Sequence, residues 1–425
     1  KSMAKEVTVY NNDVDYQSSL AYEFRNVVSK DKDLRMSSEA KIDVGYPTGF
    51  LGFDFMNGYK VHNNGETKYN LGISDGSMVM VIGRSGCGKS TFCTQMAANI
   101  VRPFKTSTIF EDSIEGGMVK ERRMQLSGFN TEAEYKKRFV IRNTGITAET
   151  FLARIKFIHD LKLADPERYK YDTGYVDEEG NPIKLFEPTV YILDSIALIM
   201  PDDLVEEGEV SSNMSVTRTA KVVTDIIRRI IPMLKMANII LIVVNHILSD
   251  VSIRPKKADL MYLKQGESLP RGRTVIYLSN TVIRLDDTKL KADEKFKVAG
   301  SLVDVTNTKS RSAGAGQTST MVFTYDHGFD PELSLFMLLQ NNGRVNGAGI
   351  GYYFDNHTDF KFSLKGFKEK LRKDPDFYKL FMEVAKSELE KLPSNANDEI
   401  DVDNQDQIES NNLTSDILGT IGIKY

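Results

Sequence analysis

Apolar positions in this chain follow two alternating periodicities. From about Tyr46 to Pro331, short apolar runs with strand character are separated by stretches whose apolar residues recur at helical spacing. The runs are Met78–Gly83, Ser107–Glu111, Thr189–Asp194, Ile239–Asn245, Thr274–Leu285, Leu302–Thr308 and Thr318–Tyr325. Such alternation predicts an α/β fold with a mostly parallel central sheet. Between two of the runs, Asp172–Pro188 carries the turn signal Glu179-Gly180-Asn181-Pro182 and predicts an inserted hairpin. Ahead of the core, Leu20, Phe24 and Val27/Val28 make one apolar helical face within about Tyr16–Ser29, too small to fold alone. Beyond it, Phe367, Leu371, Phe377, Leu380, Phe381 and Val384 predict two helices, the second opened by Asp374-Pro375. The resulting division is an N-terminal segment 1–45, a core 46–344, a small C-terminal α+β unit 345–393 and a tail 394–425.

Composition adds little until it is divided along the chain. The 425 residues are 41% hydrophobic and 27% charged, which excludes a wholly disordered chain. The formal net charge of −4 argues against nucleic acid only when taken whole. Residues 394–425 hold seven acids and one lysine, so the rest of the chain carries +2. Cations gather between Arg254 and Arg273. The two cysteines, Cys87 and Cys93, make neither a disulfide framework nor a zinc-spaced cluster. The longest apolar run, Ile239–Val244, is too short for a bilayer, and a reducing, cytoplasmic setting without a membrane partner is expected.

The chemistry concentrates in Gly83-Arg84-Ser85-Gly86-Cys87-Gly88-Lys89-Ser90, which fits G-x-x-x-x-G-K-[ST] at every fixed position. It follows a predicted strand and precedes a predicted helix, Thr91–Ile100. Glycines let backbone N–H groups curl around phosphate oxygens, and the helix N-terminus adds a favourable dipole. Lys89 is placed to neutralise β/γ-phosphate charge and Ser90 to ligate Mg2+, which predicts ATP and Mg2+ as ligands. Thr189–Asp194 is a buried strand ending in an acid, and Asp194 is the second metal-side candidate. Hydrolysis also needs a carboxylate to orient water; the candidates after the second strand are Glu111, Asp112 and Glu115, any two of which read as solvated loop acids.

Together these segments resemble the RecA-type DNA recombinases, and among them the bacteriophage UvsX-like branch, from about Tyr46 to Leu392. Thr48-Gly49 followed by Asp54 is similar to the family's entry to the core, and Asp194-Ser195-Ile196-Ala197-Leu198-Ile199-Met200-Pro201 to its strand exit. Asn245-His246 is similar to the polar pair at the end of the next core strand, and Lys309-Ser310-Arg311 to the K-x-K after a later one.

The resemblance implies a RecA-like P-loop NTPase core with DNA-binding loops near 202–214 and 247–272. In the second loop Arg254, Lys256, Lys257, Lys264 and Arg271, with Tyr262, and Arg273 at the start of the next strand, would track phosphates and touch bases; from composition alone a solvated basic loop reads the same way. His246 would contact the γ-phosphate. Lys309 and Arg311 would reach a neighbouring subunit's ATP. The 1–45 segment would dock on the next protomer, giving a helical homo-oligomer on single-stranded DNA that pairs it with homologous duplex. Loader or single-strand-binding proteins, and the cytoplasm of a bacterial host, belong to the same picture.

This sequence departs from the family at three points. The acidic motif after the second strand is one residue longer, ending at Glu115, which leaves Glu111 as a rival. The 172–188 insertion has no counterpart in bacterial RecA. The adenine-stacking tyrosine is not evident, and Arg122 or Arg123 falls near its place. A hexameric RecA-fold helicase and a non-recombinase regulatory ATPase remain the alternative readings.

Overall fold

The computed structural model describes residues 43–177, 180–207, 213–249, 263–270, 272–311 and 315–394. The predicted N-terminal helix, residues 208–212, the tail beyond residue 394, and Arg254, Lys256, Lys257, Tyr262 and Arg271 lie outside them.

The centre is one nine-stranded sheet. Its strands are β1 (Met78–Gly83), β2 (Ile109–Ser113), β3 (Phe139–Arg142), β4 (Thr189–Asp194), β5 (Ile239–His246), β6 (Thr281–Lys291), β7 (Gly300–Ser310), β8 (Thr318–Thr324) and β9 (Gly328–Asp330). The order across the sheet is β9-β8-β7-β6-β1-β5-β4-β2-β3. All pairings from β6 to β3 are parallel; β6-β7, β7-β8 and β8-β9 are antiparallel. The fully buried strands β1, β4 and β5 are continuous aliphatic runs, because helices cover both faces there.

Eight helices matter below: α1 (Lys89–Val101), α2 (Lys120–Ser127), α3 (Ala148–Ala164), α4 (Asn213–Ala237), α5 (Gly272–Leu278), α6 (Pro331–Asn341), α7 (Phe367–Lys373) and α8 (Pro375–Lys386). One face of the sheet buries Phe92, Met96 and Ala97 of α1. The other buries Ile155 of α3 and Val223, Ile226, Ile227, Ile230 and Leu234 of α4. That spacing keeps the α4 side chains on one stripe, each fully buried aliphatic contributing about 1.5–3 kcal/mol.

The predicted strand over Thr274–Leu285 divides. Gly272–Leu278 is helical, and the strand begins only at Thr281. A short apolar run fits a buried helix as well as a strand, and here Val275 and Ile276 bury beside β1 and α4. Asn280 makes the break, its side-chain oxygen accepting the Met78 N–H at 3.1 Å and its carbonyl the Arg311 N–H. Arg273, expected at a strand start, therefore lies in α5. The stretch after Pro201 begins as a helix, Asp202–Glu207.

The insertion is a hairpin of Lys170–Val176 and Pro182–Phe186. In the C-terminal unit, Asp374 caps α8 through the Phe377 N–H. Phe354, Phe362, Phe367, Phe377 and Phe381 form its core, which is continuous with Phe336 of α6 and with Leu302 and Val322 of the main sheet. It shares a core with the larger unit rather than having one of its own.

Candidate functional site

Four adjacent parallel strands, β1, β5, β4 and β2, deliver the candidate residues to one edge. Gly83 lies in register with His246, and Asp194 with Ser113. In open α/β sheets this carboxyl edge is where ligands bind.

The phosphate-loop candidate turns directly out of β1. A side chain at Gly83 would place Cβ 2.6 Å from Cys87 Sγ and 2.7 Å from the Leu285 carbonyl oxygen, so only glycine fits. Gly88 caps α1 with φ of 89°, in the left-handed region that favours glycine. Lys89 is buried, and its ammonium folds back to donate to the Arg84 carbonyl at 2.8 Å. A buried cation facing only a carbonyl is ready to receive an anion. Ser90 Oγ donates to Asp194 Oδ2 at 2.6 Å, linking loop and strand end. Thr91 continues the first turn of α1.

The other oxygen of Asp194, Oδ1, is buried and has no hydrogen-bond partner among the described residues. Burial pushes the Asp194 carboxyl up; the Ser90 bond pulls it down, and Glu115 and Glu111 push it up again. An unpartnered carboxylate oxygen next to a hydroxyl suits a hard divalent cation such as Mg2+.

Glu115 reaches the same point because the chain after β2 is clipped to β4: Ile114 N–H donates to the Asp194 carbonyl at 2.7 Å and Glu115 N–H at 3.4 Å. Its carboxylate meets His246 Nε2 at 2.5 Å. Ligand atoms of Glu115, Asp194 and His246 lie within 4.8 Å of one another. Beside His246, Asn245 Nδ2 donates to the Pro270 carbonyl at 2.8 Å, tying the strand end to the far arm of the 247–272 segment.

The rival carboxylates are committed elsewhere. Glu111 is held by Arg123 through two hydrogen bonds of 2.9 and 2.6 Å, both side chains buried. Asp112 is fully buried and receives Arg142 at 3.0 and 2.7 Å, Arg154, and the Tyr191 hydroxyl at 2.5 Å. Of the three acids only Glu115 is half-exposed at the site.

No protein-family model matches the chain, and no curated protein matches it.

The remaining candidates fall around this centre. Arg122 donates to the Tyr325 carbonyl at 2.9 Å and to the Asp326 carbonyl, so its guanidinium holds a turn. That turn lies on α1, with Gln95 bonded to the N–H and carbonyl of Phe329, and it presents an exposed Tyr325. Tyr325 lies edge-on to Phe323 with ring centroids 6.1 Å apart, and a Cβ at Gly88 would lie 3.3 Å from the Phe323 ring; no local signal marked this aromatic in the sequence. Lys309 Nζ donates to the Ile276 and Tyr277 carbonyls at 2.7 and 2.8 Å, and Arg311 to the Tyr277 carbonyl at 3.1 Å. Both cations thereby close the C-terminus of α5. Burial, and then Arg311, lower the Lys309 pKa. Lys264 pairs with Asp286 at 3.1 Å. Among the described residues no helix is long and apolar enough to cross a membrane.

Proposed function

We propose that this chain is an ATP-dependent DNA recombination protein with a RecA-like P-loop NTPase core, assembling as a helical filament on single-stranded DNA and pairing it with homologous duplex. The observation that carries the reading is the convergence of four strand ends, where Ser90 meets Asp194 under the phosphate loop and Glu115 meets His246 beside it.

In this reading the backbone N–H groups of Gly83–Ser90 and the Lys89 ammonium bind the triphosphate of ATP. Ser90 and Asp194 hold Mg2+, which supplies charge neutralisation at the transferring phosphoryl group. Glu115 accepts a hydrogen bond from the attacking water and orients it. His246, bonded to that same carboxylate, registers whether the γ-phosphate is present, and Asn245 passes the difference to the Pro270 arm. Tyr325 offers a face to the base, and Arg122 holds the turn that carries it. Lys309 and Arg311 act on the nucleotide of the neighbouring subunit once the 1–45 segment has docked, so turnover depends on assembly. The basic 247–272 segment and the 202–214 segment track the DNA backbone, with binding that weakens steeply with salt.

Electron microscopy with single-stranded DNA and a slowly hydrolysed ATP analogue tests the reading. Helical filaments are expected for the native chain and none for Lys89→Ala, whose hydrolysis should fall by about 10²–10³-fold or more. Closed rings would select a helicase, and dispersed particles a regulatory ATPase.

A further inference from the structure

A second polar group joins the phosphate loop to the basic 247–272 segment by a route separate from His246. Leu248–Ser249 and Glu267–Ser268 pair as a short antiparallel stem at the base of that segment. The Glu267 carboxylate on this stem is 2% exposed. It receives Arg284 Nη1 at 2.7 Å and Nη2 at 2.9 Å, and the backbone N–H of Lys264 at 2.8 Å. Arg284 is itself fixed: it stands on β6 in register with Ile82 of β1, and it also binds Asp286 at 2.7 and 2.9 Å. Burial opposes ionisation of Glu267 most strongly, but the Arg284 hydrogen bonds, the Lys264 N–H and the Arg284 charge together outweigh it and hold the carboxyl below its usual range. Glu267 therefore stays a carboxylate, anchored from within.

Its outermost partner differs. Arg84, the first loop residue after Gly83, brings Nη2 to 3.5 Å from Glu267 Oε1, and its side chain is 63% exposed. This contact is long, solvated and replaceable, whereas the Arg284 contacts are short and buried. Arg84 is also part of the phosphate loop, so its flexible guanidinium has a second anion within reach whenever a triphosphate occupies that loop.

We infer that Arg84 is a charge switch, exchanging Glu267 for the nucleotide phosphates and thereby loosening the Lys264–Pro270 arm when the phosphate loop is filled. This rests on the nucleotide-binding reading above. Arg84 is a positioning residue, acting on the DNA-facing segment through Glu267. The driving difference is charge: one guanidinium is shared between a carboxylate that Arg284 already neutralises and a polyanion that needs cations. The arm keeps its Arg284 anchor in both states, so it loosens without unfolding.

Hydrogen exchange on the full-length protein tests this at two amides. Lys264 N–H is bonded to the Glu267 carboxylate, and Glu267 N–H to the Lys264 carbonyl at 3.0 Å. In the native chain a slowly hydrolysed ATP analogue with Mg2+ should speed their exchange about two- to fivefold, the range expected for losing one exposed ion pair. Arg84→Ala should exchange at the faster rate without the analogue and show no further change with it. Arg84→Lys, which retains a cation, should restore the response. Analogue binding, measured in parallel by calorimetry, separates the two claims. If the analogue binds but native and Arg84→Ala chains respond alike, or the native arm does not respond, the switch is overturned and the phosphate site stands. If the analogue does not bind the native chain, both fall.

Discussion

Two sets of carboxylates share the same edge of the sheet and have opposite fates. Glu111 and Asp112 on β2 are saturated: Arg123 takes one, and Arg142, Arg154 and Tyr191 take the other. Glu115 and Asp194, a few residues on and one strand over, are not. Among the described residues Asp194 has one oxygen on Ser90 and the other without a hydrogen bond, and Glu115 faces a single imidazole. Residue type is the same in both sets; the difference is the supply of fixed cations. A buried charge matched by rigid guanidinium groups is scaffold, and removing a partner strands the other charge. A carboxylate left short of partners beside the candidate phosphate loop keeps its capacity for a metal or a water.

The comparison breaks if the two sets respond alike to mutation. Glu115→Gln should lower ATP turnover about 10²–10⁴-fold while leaving stability within about 0.5 kcal/mol; steady-state hydrolysis and urea unfolding on one preparation check both. Asp112→Ala should do the reverse to the fold, costing about 3–5 kcal/mol of stability because two arginines lose their buried counter-charge. A stable Asp112→Ala chain, or a Glu115→Gln chain that is destabilised and still active, would invert the assignment.

A fifth acid behaves differently again. Asp54 is fully buried, and Thr48 donates to its Oδ1 from N–H at 2.9 Å and from the hydroxyl at 2.6 Å, with no arginine or lysine involved. Burial pushes its carboxyl up to about 7, and the Thr48 bonds offset only part of that. The folded value lies above the ordinary one, so the native chain holds a proton that the unfolded chain releases. That stability is fully present below the ordinary carboxylate range and is lost as pH rises through about 7. Asp54→Asn should therefore flatten the fall in stability across this window, by at most about 1.4 kcal/mol per pH unit. Denaturant unfolding at a series of pH values reads the slope; an unchanged slope would mean that hydroxyl donors alone keep this acid ionised.

How much of this was legible in the chain follows from distance along it. The candidate phosphate loop stood out locally, between a strand and a helix signal; Asp194 gained weight only beside that loop, and His246 only through the family resemblance. The hairpin over 170–186 and the caps at Asp374 were local too. The choice among Glu111, Asp112 and Glu115 was not, because it depends on which cations arrive from elsewhere. Arg142, Arg154 and Tyr191 come to Asp112 from three different elements. The helix at Gly272–Leu278 was hidden because Thr274-Val275-Ile276-Tyr277-Leu278 is as β-branched and apolar as any strand, and only its packing against β1 and α4 decides it. The aromatic cluster beside Gly88 was hidden for the same reason: no local signal connects Phe323 and Phe329 to it.

The most direct test is steady-state ATP hydrolysis by the native chain at saturating Mg2+, with and without single-stranded DNA. Turnover should rise when DNA is added and fall by about 10²–10³-fold or more in Lys89→Ala. Turnover that is absent in both conditions, or present but indifferent to DNA, would contradict the proposed function.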